Sequence, residues 1–370
     1  MKLVVEGTQA YRHFRGWGRY NELLLLGLHL RSSESLTTSV FYHEDNSFQA
    51  LSKRFSHSPW FKIFPLEVSD EIYQEIEEDF DDSYIDREFS DNNVYHAITE
   101  FPFYSKQVPL VCTIHELTPL IFKEHFSASY VSNFLRYVSY AVANAQRLIC
   151  PSSNTKADLV NYFKIDENTI TVIPNCIKPV FTADMTNTQS QNYLLFVGGL
   201  KKPSKNFNIF FEAYQKCISK PGYEVELIIV NREYNQQSFE KEYPVNGVSN
   251  YPVKLLNTVT DKELVKLYQN AIALIYPSYY EGFGLPIIEA LACGCPVLCD
   301  GTLPVVKEFL NDEVLEVNVS DVDDFSQAIQ DAIQNKEKNK LQVMGRSNGI
   351  MNNFCLEKFI DAHVDVYRSI

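Results

Sequence analysis

The stretch that decides the fold is Tyr276–Asp300, YPSYYEGFGLPIIEALACGCPVLCD. It begins in ALIYPS, a short apolar run with strand character that Pro277 closes. Gly282 and Gly284 allow backbone shapes closed to residues with a Cβ, and Pro286 suits the first turn of a helix running to Gly294. Strand, glycine turn and helix start, in that order, place a helix N-terminus at the carboxyl edge of a sheet. Its unpaired N–H groups and positive dipole end suit a phosphate. Glu281 falls in the turn and Glu289 inside the helix. A carboxylate at Glu289 can accept hydrogen bonds from ribose hydroxyls, and one at Glu281 can meet sugar hydroxyls beyond the phosphates.

Outward from this stretch the alternation continues. KLVV, SVFY, PLVCTIH, RLICPS and TVIPN in the first half, and YLLFVGG, VELIIV, VKLLNTV, ALIYPS and PVLCD in the second, are strand-like runs. Helical patterns lie between them, such as DKELVKLYQNA (Asp261–Ala271), with Asp261 the expected N-cap. This order predicts an α/β protein with doubly wound parallel sheets covered by helices on both faces. At 370 residues the chain exceeds one ordinary core, so two such domains are expected. Periodicity vanishes over Lys178–Asn192, KPVFTADMTNTQSQN, which reads as the inter-domain linker and sets a boundary at 180/181.

Composition narrows the function classes. Hydrophobic content of 45% with 22% charged residues is that of a globular protein. A net charge of −14 argues against nucleic acid as a partner, because such binding rests on Lys and Arg neutralising phosphates. An anionic ligand must then be held by local positive charge. The eight cysteines form no C-x-x-C pair and read as small buried hydrophobes in a reducing compartment. Cys293, Cys295 and Cys299 lack a second pair or a neighbouring His, so no metal site is expected. MKLVVEGTQ lacks the apolar region of a secretory signal, and LLLLGLHL is too short to cross a bilayer, so a cytoplasmic protein is expected.

The run Pro277–Val297, PSYYEGFGLPIIEALACGCPV, closely resembles the E-x7-E signature of family 4 retaining glycosyltransferases with the GT-B fold. The resemblance extends along nearly the whole chain. GWGRYNELL (Gly16–Leu24) looks like the family's first glycine loop and helix, TIHELTPLIFKEHF (Thr113–Phe126) like its His-bearing strand end, and FVGGLKKPSKNF like its phosphate-binding turn. CPSSNTKADL and VIPN look like the close of the first domain. The implied fold is two Rossmann-like domains facing across a cleft: residues 1–180 binding the acceptor, 181–352 binding the nucleotide sugar, and 353–370 a helix returning to the first domain. VTDKELVKLYQNA and FCLEKFIDAHVDVYRSI also fit it.

Residue by residue, the resemblance implies that Glu281 stabilises positive charge developing on the donor sugar and that Glu289 holds the nucleotide ribose. The backbone at Phe283, Gly284 and Leu285 would bind the donor phosphates, and Lys205 would neutralise the leaving diphosphate. Gly16 and Gly18 would let the opposite domain approach those phosphates, and His115 would sit at the sugar. Catalysis would be largely electrostatic, with no metal or other cofactor. One departure stands out. Relatives usually have an Arg near the Lys of the phosphate turn, whereas GGLKKPSKN is one residue longer, with Gly199 or Ser204 at the Arg position and Lys201 or Lys202 left to replace it. Arg and Lys are not equivalent at bidentate phosphate sites. Asn231, Arg232, Asn257 and Thr258 end strands on the carboxyl edge of the second sheet and are candidates for the nucleotide side.

The expected activity is transfer of a hexose, mannose from GDP-mannose first, to a glycan or lipid-linked glycan hydroxyl, since the IHELTPL style is familiar in bacterial polysaccharide mannosyltransferases. UDP-glucose, UDP-galactose, UDP-GlcNAc or a deoxyhexose donor are the alternatives within the fold. A non-catalytic nucleotide-sugar-binding partner protein is the alternative outside it. A dinucleotide oxidoreductase fails, because EGTQAYRHFRGWG has no G-x-G-x-x-G after the first strand. KRFSHSPWFKIF (Lys53–Phe64) mixes basic and aromatic residues; its ordinary reading is a loop feeding a strand, its functional one a peripheral contact at the inner membrane face. Acidic Glu67–Asn93 reads as a solvated helix and loop. His13, His29, His43, His57, His96, His125 and His363 have no supporting motif and read as structural.

Overall fold

The computed structural model describes residues 1–7, 16–43, 55, 58–66, 84–99, 103–245, 252–310 and 313–370. His13, His57, most of KRFSH and the acidic residues 67–83 lie outside them. The chain forms two compact units, Met1–Cys176 with Leu356–Ile370, and Ile177–Cys355. The boundaries expected at 180/181 and 352/353 thus fall at 176/177 and 355/356. Lys178–Asn192 is not a free linker: Phe181 is fully buried in the second unit's core, and Lys178 Nζ lies 2.8 Å from the Asp261 carboxylate. A buried ring, an ion pair and hydrogen bonds such as Gln191 N to Asn270 O (2.7 Å) anchor a segment too polar to show periodicity.

The first unit is a seven-stranded parallel sheet. Its strands are β1 (Lys2–Glu6), β2 (Thr37–His43), β3 (Phe61–Leu66), β4 (Val94–Ala97), β5 (Leu110–Thr113), β6 (Ala145–Cys150) and β7 (Ile170–Val172), in the order β3-β2-β1-β4-β5-β6-β7. Along β1, Leu3 and Val5 enter one core and Val4 the other, the period of two that buries both faces. β3 is the strand that the ordinary reading of Lys53–Phe64 expected, whereas β4 was not among the strand-like runs, since it carries His96. Trp60 and Phe64 are partly exposed at β3. In the acidic segment, Asp86 is not solvated: it is buried and accepts from Ser105 Oγ at 2.7 Å and Lys106 N at 2.8 Å.

Helix α1 (Gly16–Arg31) is apolar on more than one side because the last helix, Leu356–Arg368, covers it within the same core. A Cβ at Gly27 would sit 3.0 Å from Ile360 Cβ, so the helices touch through the missing side chain. Between these helices and the sheet runs a buried polar chain. Tyr367 donates to His96 Nδ1 (2.7 Å), His96 Nε2 to Thr113 Oγ1 (2.9 Å), Thr113 to Tyr20 Oη (2.9 Å) and Tyr20 to His363 Nε2 (2.7 Å). His363 Nδ1 donates to the Phe359 carbonyl at 2.7 Å. Because that carbonyl can only accept, this direction satisfies every group with both imidazoles neutral.

Burial holds the His96 imidazole well below its ordinary range and lowers His363 to about 4. Both folded values lie below the unfolded one of about 6.5. Their contribution is therefore complete above about pH 6.5 and is lost as pH falls toward the folded values. His363→Gln should cost about 1–3 kcal/mol at pH 7 and flatten the acid slope by about 1.4 kcal/mol per pH unit near pH 5. Urea midpoints at pH 7 and pH 5 read this, and an unchanged slope in the variant removes His363 from the acid response.

The second unit has β8 (Tyr193–Val197), β9 (Glu226–Val230), β10 (Val253–Leu256), β11 (Ala273–Tyr276), β12 (Val297–Cys299) and β13 (Leu315–Glu316). The sheet is parallel, in the order β10-β9-β8-β11-β12-β13. The chain winds from β8 outward to β10, then returns past β8 to β11, so the strand order reverses between β8 and β11. Open α/β sheets bind ligands outside the carboxyl ends of strands at such a point. Helix α2 (Asp261–Asn270) is capped by Thr260, not by Asp261. Thr260 Oγ1 accepts from Glu263 N while the Glu263 carboxylate accepts from Thr260 N, a capping box that uses the residue before the Asp. All eight cysteines carry free thiols, and all but Cys355 are buried.

Candidate active site

Two turns meet at the β8/β11 switch point. Pro203–Lys205 forms a short helical turn after β8, and Tyr279 N donates to Ser204 O at 3.0 Å, tying it to the loop after β11. Lys205 Nζ lies 2.7 Å from Glu281 Oε1, donates to Tyr276 Oη at 2.9 Å and sits 4.4 Å from that ring's centre. Glu281 is only 8% exposed. Burial pushes its carboxyl up, but the charges of Lys205 and then Lys202, with hydrogen bonds from Lys205 and Ser278, outweigh it and hold the pKa below its usual value. A buried carboxylate kept ionised beside a lysine is a charge pair poised for a ligand that carries both signs.

The residues after Glu281 form the turn that the sequence implies. Gly284 has φ +110° and is the N-cap of α3 (Leu285–Ala292), with Pro286 in the first turn. The positive φ favours glycine, and a Cβ there would sit tightly against Val305 Cγ1 at 3.2 Å. Phe283 packs into the core against Phe309 and Phe354, and Leu285 is buried too, leaving the backbone as what this turn can offer a ligand. Glu289 is buried one helical turn on and accepts from Tyr268 Oη at 3.3 Å.

At β9 and β10 the expected nucleotide-side residues separate into two kinds. Asn231 is buried and its Oδ1 accepts from Glu233 N (2.8 Å) and Tyr234 N (2.9 Å), which shapes the turn after β9. Asn231 N donates to Leu256 O, so the two strand ends lie side by side. Arg232, Asn257 and Thr258 are exposed beyond them. Of the two lysines left in place of the Arg, Lys201 lies over the Tyr234 ring at 4.9 Å, whereas the charge of Lys202 acts on Glu281.

In the first unit, His115 follows β5 and is 6% exposed. Its Nε2 donates to the Ile98 carbonyl at 3.1 Å, and burial lowers its pKa to about 4, so the ring is neutral at pH 7 with Nδ1 unprotonated. Trp17 stacks on it at 6.2 Å and Tyr20 meets it edge-on at 4.7 Å. Gly16 opens α1 and Gly18 is buried in its first turn, so the glycines flank the Trp17 that packs on His115. Sequence reading missed Tyr276, Ser278, Glu233 and Tyr20. Tyr276 had a signal, since it ends a strand at the ligand edge; the others are defined only by their tertiary partners.

Residues 181–347 match the family described as Glycosyl transferases group 1, and residues 82–180 match Glycosyltransferase Family 4. Among curated relatives, the O-antigen chain mannosyltransferase RfbU of Salmonella typhimurium is 28% identical over 222 residues, covering 60% of each chain. The O-antigen chain mannosyltransferase B of Escherichia coli is 33% identical over 144 residues, 39% of this chain and 37% of that one. The aligned regions therefore span less than two thirds of those relatives' lengths. Among solved structures, sucrose-phosphate synthase from Thermosynechococcus elongatus has a TM-score of 0.74 at 16% identity, covering 100% of this chain and 98% of that one. HepE from Anabaena, solved with UDP and glucose, has a TM-score of 0.71 at 17% identity with both chains covered in full. No helix among the described residues is long and apolar enough to cross a membrane. The two family matches run on without a gap from residue 82 to residue 347, and the chain belongs to the group 1 and family 4 glycosyltransferases, with the GT-B fold.

Proposed function

We propose that this glycosyltransferase moves a hexosyl group, mannose from GDP-mannose, to a hydroxyl of a glycan or lipid-linked glycan, with retention at the anomeric carbon. The observation that carries the reading is the buried Lys205–Glu281 pair at the β8/β11 switch point. As the bond from the anomeric carbon to the diphosphate oxygen breaks, Lys205 and Lys202 offset charge growing on the diphosphate, and Glu281 offsets the positive charge on the sugar. The acceptor oxygen then bonds to the anomeric carbon, and its proton leaves with the diphosphate. Charges fixed in place before the reaction lower the barrier without reorganising during it. The two lysines supply the cationic partner of the diphosphate, so the reaction is proposed to proceed without a metal. Glu289 takes the ribose, the turn at Phe283, Gly284 and Leu285 the phosphates, and His115 the sugar. The mannosyl assignment is supported by the two O-antigen relatives, both named as mannosyltransferases.

The test is thermal unfolding with GDP, UDP, dTDP and ADP at matched concentrations. A ligand that binds only the folded protein adds about 2.7 kcal/mol at a hundredfold excess over Kd. GDP alone should raise the midpoint by several degrees, and incubation with GDP-mannose and a glycan acceptor should release GDP. A shift with UDP alone removes the GDP-mannose assignment and moves the search to UDP-sugars.

A further inference from the structure

We propose that Glu233 is a positioning residue for the donor diphosphate: its carboxylate clasps the lengthened turn Gly198–Lys205 and occupies the space that an Arg at position 199 would need. The inference rests on the donor-site reading above. Glu233 Oε2 accepts from Leu200 N at 2.6 Å and from Lys201 N at 2.9 Å. Charge-assisted bonds to two successive backbone N–H groups are strong ones. The carboxylate is itself held in place, because Asn231 Oδ1 accepts from the N–H groups of Glu233 and Tyr234 and fixes the turn that presents it.

The clasp accounts for the glycine. A Cβ at residue 199 would lie 2.6 Å from Glu233 Oε1, so any side chain there requires the carboxylate to shift from its place on the two N–H groups. Ser204, the other candidate position for the missing Arg, is 1% exposed, with no room for a guanidinium. With Leu200 and Lys201 tied down by their backbone, Lys201 Nζ is drawn over the Tyr234 ring. Lys202 and Lys205 follow in the turn, and these two lysines are the ones whose charge acts on Glu281. A carboxylate supplied by the neighbouring strand end thus fixes the turn from which Lys202 and Lys205 project.

The experiment titrates inorganic pyrophosphate, GDP and UDP into wild type, Glu233→Ala, Glu233→Gln, Gly199→Ala and Lys205→Met. Pyrophosphate keeps the test independent of which base is recognised. Glu233→Ala should weaken pyrophosphate about tenfold, while Glu233→Gln, which still offers an oxygen to both N–H groups, should recover to within about threefold of wild type. Gly199→Ala should match Glu233→Ala, and the double change should be no worse than either, since both break one contact. If Glu233→Ala folds poorly, Gly199→Ala against Glu233→Gln decides the matter: weak binding in the first beside near wild-type binding in the second is expected, and wild-type binding in Gly199→Ala overturns the clasp. Additive losses, or wild-type binding in Glu233→Ala beside weak binding in Lys205→Met, would overturn the clasp and leave the donor site standing. Wild-type pyrophosphate binding in Lys205→Met would remove the donor-site reading, and the role of Glu233 with it.

Discussion

Glu281→Gln should lower turnover by about 10²–10³ while leaving nucleoside diphosphate affinity within a few-fold of wild type. The change keeps shape and one acceptor oxygen but removes the charge. Stabilisation of charge that exists only in the transition state appears in kcat rather than in binding, and single preorganised groups of this kind are worth about 3–4 kcal/mol. Glu281 is suited to the task because it is buried yet ionised, with Lys205 Nζ at 2.7 Å. Steady-state kinetics with the donor found by thermal shift reads the split. A variant with unchanged kcat and a raised KM would make Glu281 a ground-state binding group and sink the charge-stabilising role. Wild-type kinetics throughout would remove Glu281 from the catalytic machinery.

Lys205→Met should be the most damaging single change. It leaves the Glu281 carboxylate buried without its ion-pair partner, a loss of about 3–5 kcal/mol, which lowers the unfolding midpoint by on the order of 10 °C. It also takes the first cation from the diphosphate. The sign of the pH effect follows from the direction of the shift. In the wild type the Glu281 carboxyl is held below its ordinary value by Lys205, so the pair's contribution is complete above about pH 4.5 and is lost as pH falls through the folded value. Without Lys205, burial dominates and pushes the carboxyl upward, so the variant should gain stability as pH falls toward 5 while the wild type does not. Adding Glu281→Gln to Lys205→Met should restore most of the stability and none of the diphosphate binding. Calorimetry of the three proteins at pH 7 and pH 5 measures this. An undiminished midpoint in Lys205→Met would show that the pair does not hold the two turns together.

Much of the site was legible because its signals are local. Gly284 reads as a residue free of Cβ limits and Pro286 as a first-turn residue from their neighbours alone, and the structure makes Gly284 the left-handed N-cap, since each depends on the allowed φ of one residue or on a missing N–H. The alternation of short apolar runs with helical patterns likewise announced parallel sheets, because a strand buried on both faces has no polar side to show. The same locality explains the misses. Strand β4 contains His96, which reads as polar until Thr113 and Tyr367 are seen to satisfy both ring nitrogens. Lys178–Asn192 read as a linker because its one core residue, Phe181, sits among polar ones.

By itself the sequence determined two α/β domains, the strand, turn and helix that carry Glu281 and Glu289, and the resemblance that placed Lys205 in a phosphate turn. Only the tertiary structure decided which groups meet. Strand order puts β8 beside β11 and so brings Lys205 onto Glu281. It also sets Glu233 on the N–H groups of Leu200 and Lys201, and joins Tyr20 to His363 across 343 residues of chain. Periodicity reports which face of an element is buried, a property of one segment. Charge pairing and hydrogen bonding are properties of two segments, and their partners are chosen by how the strands are ordered.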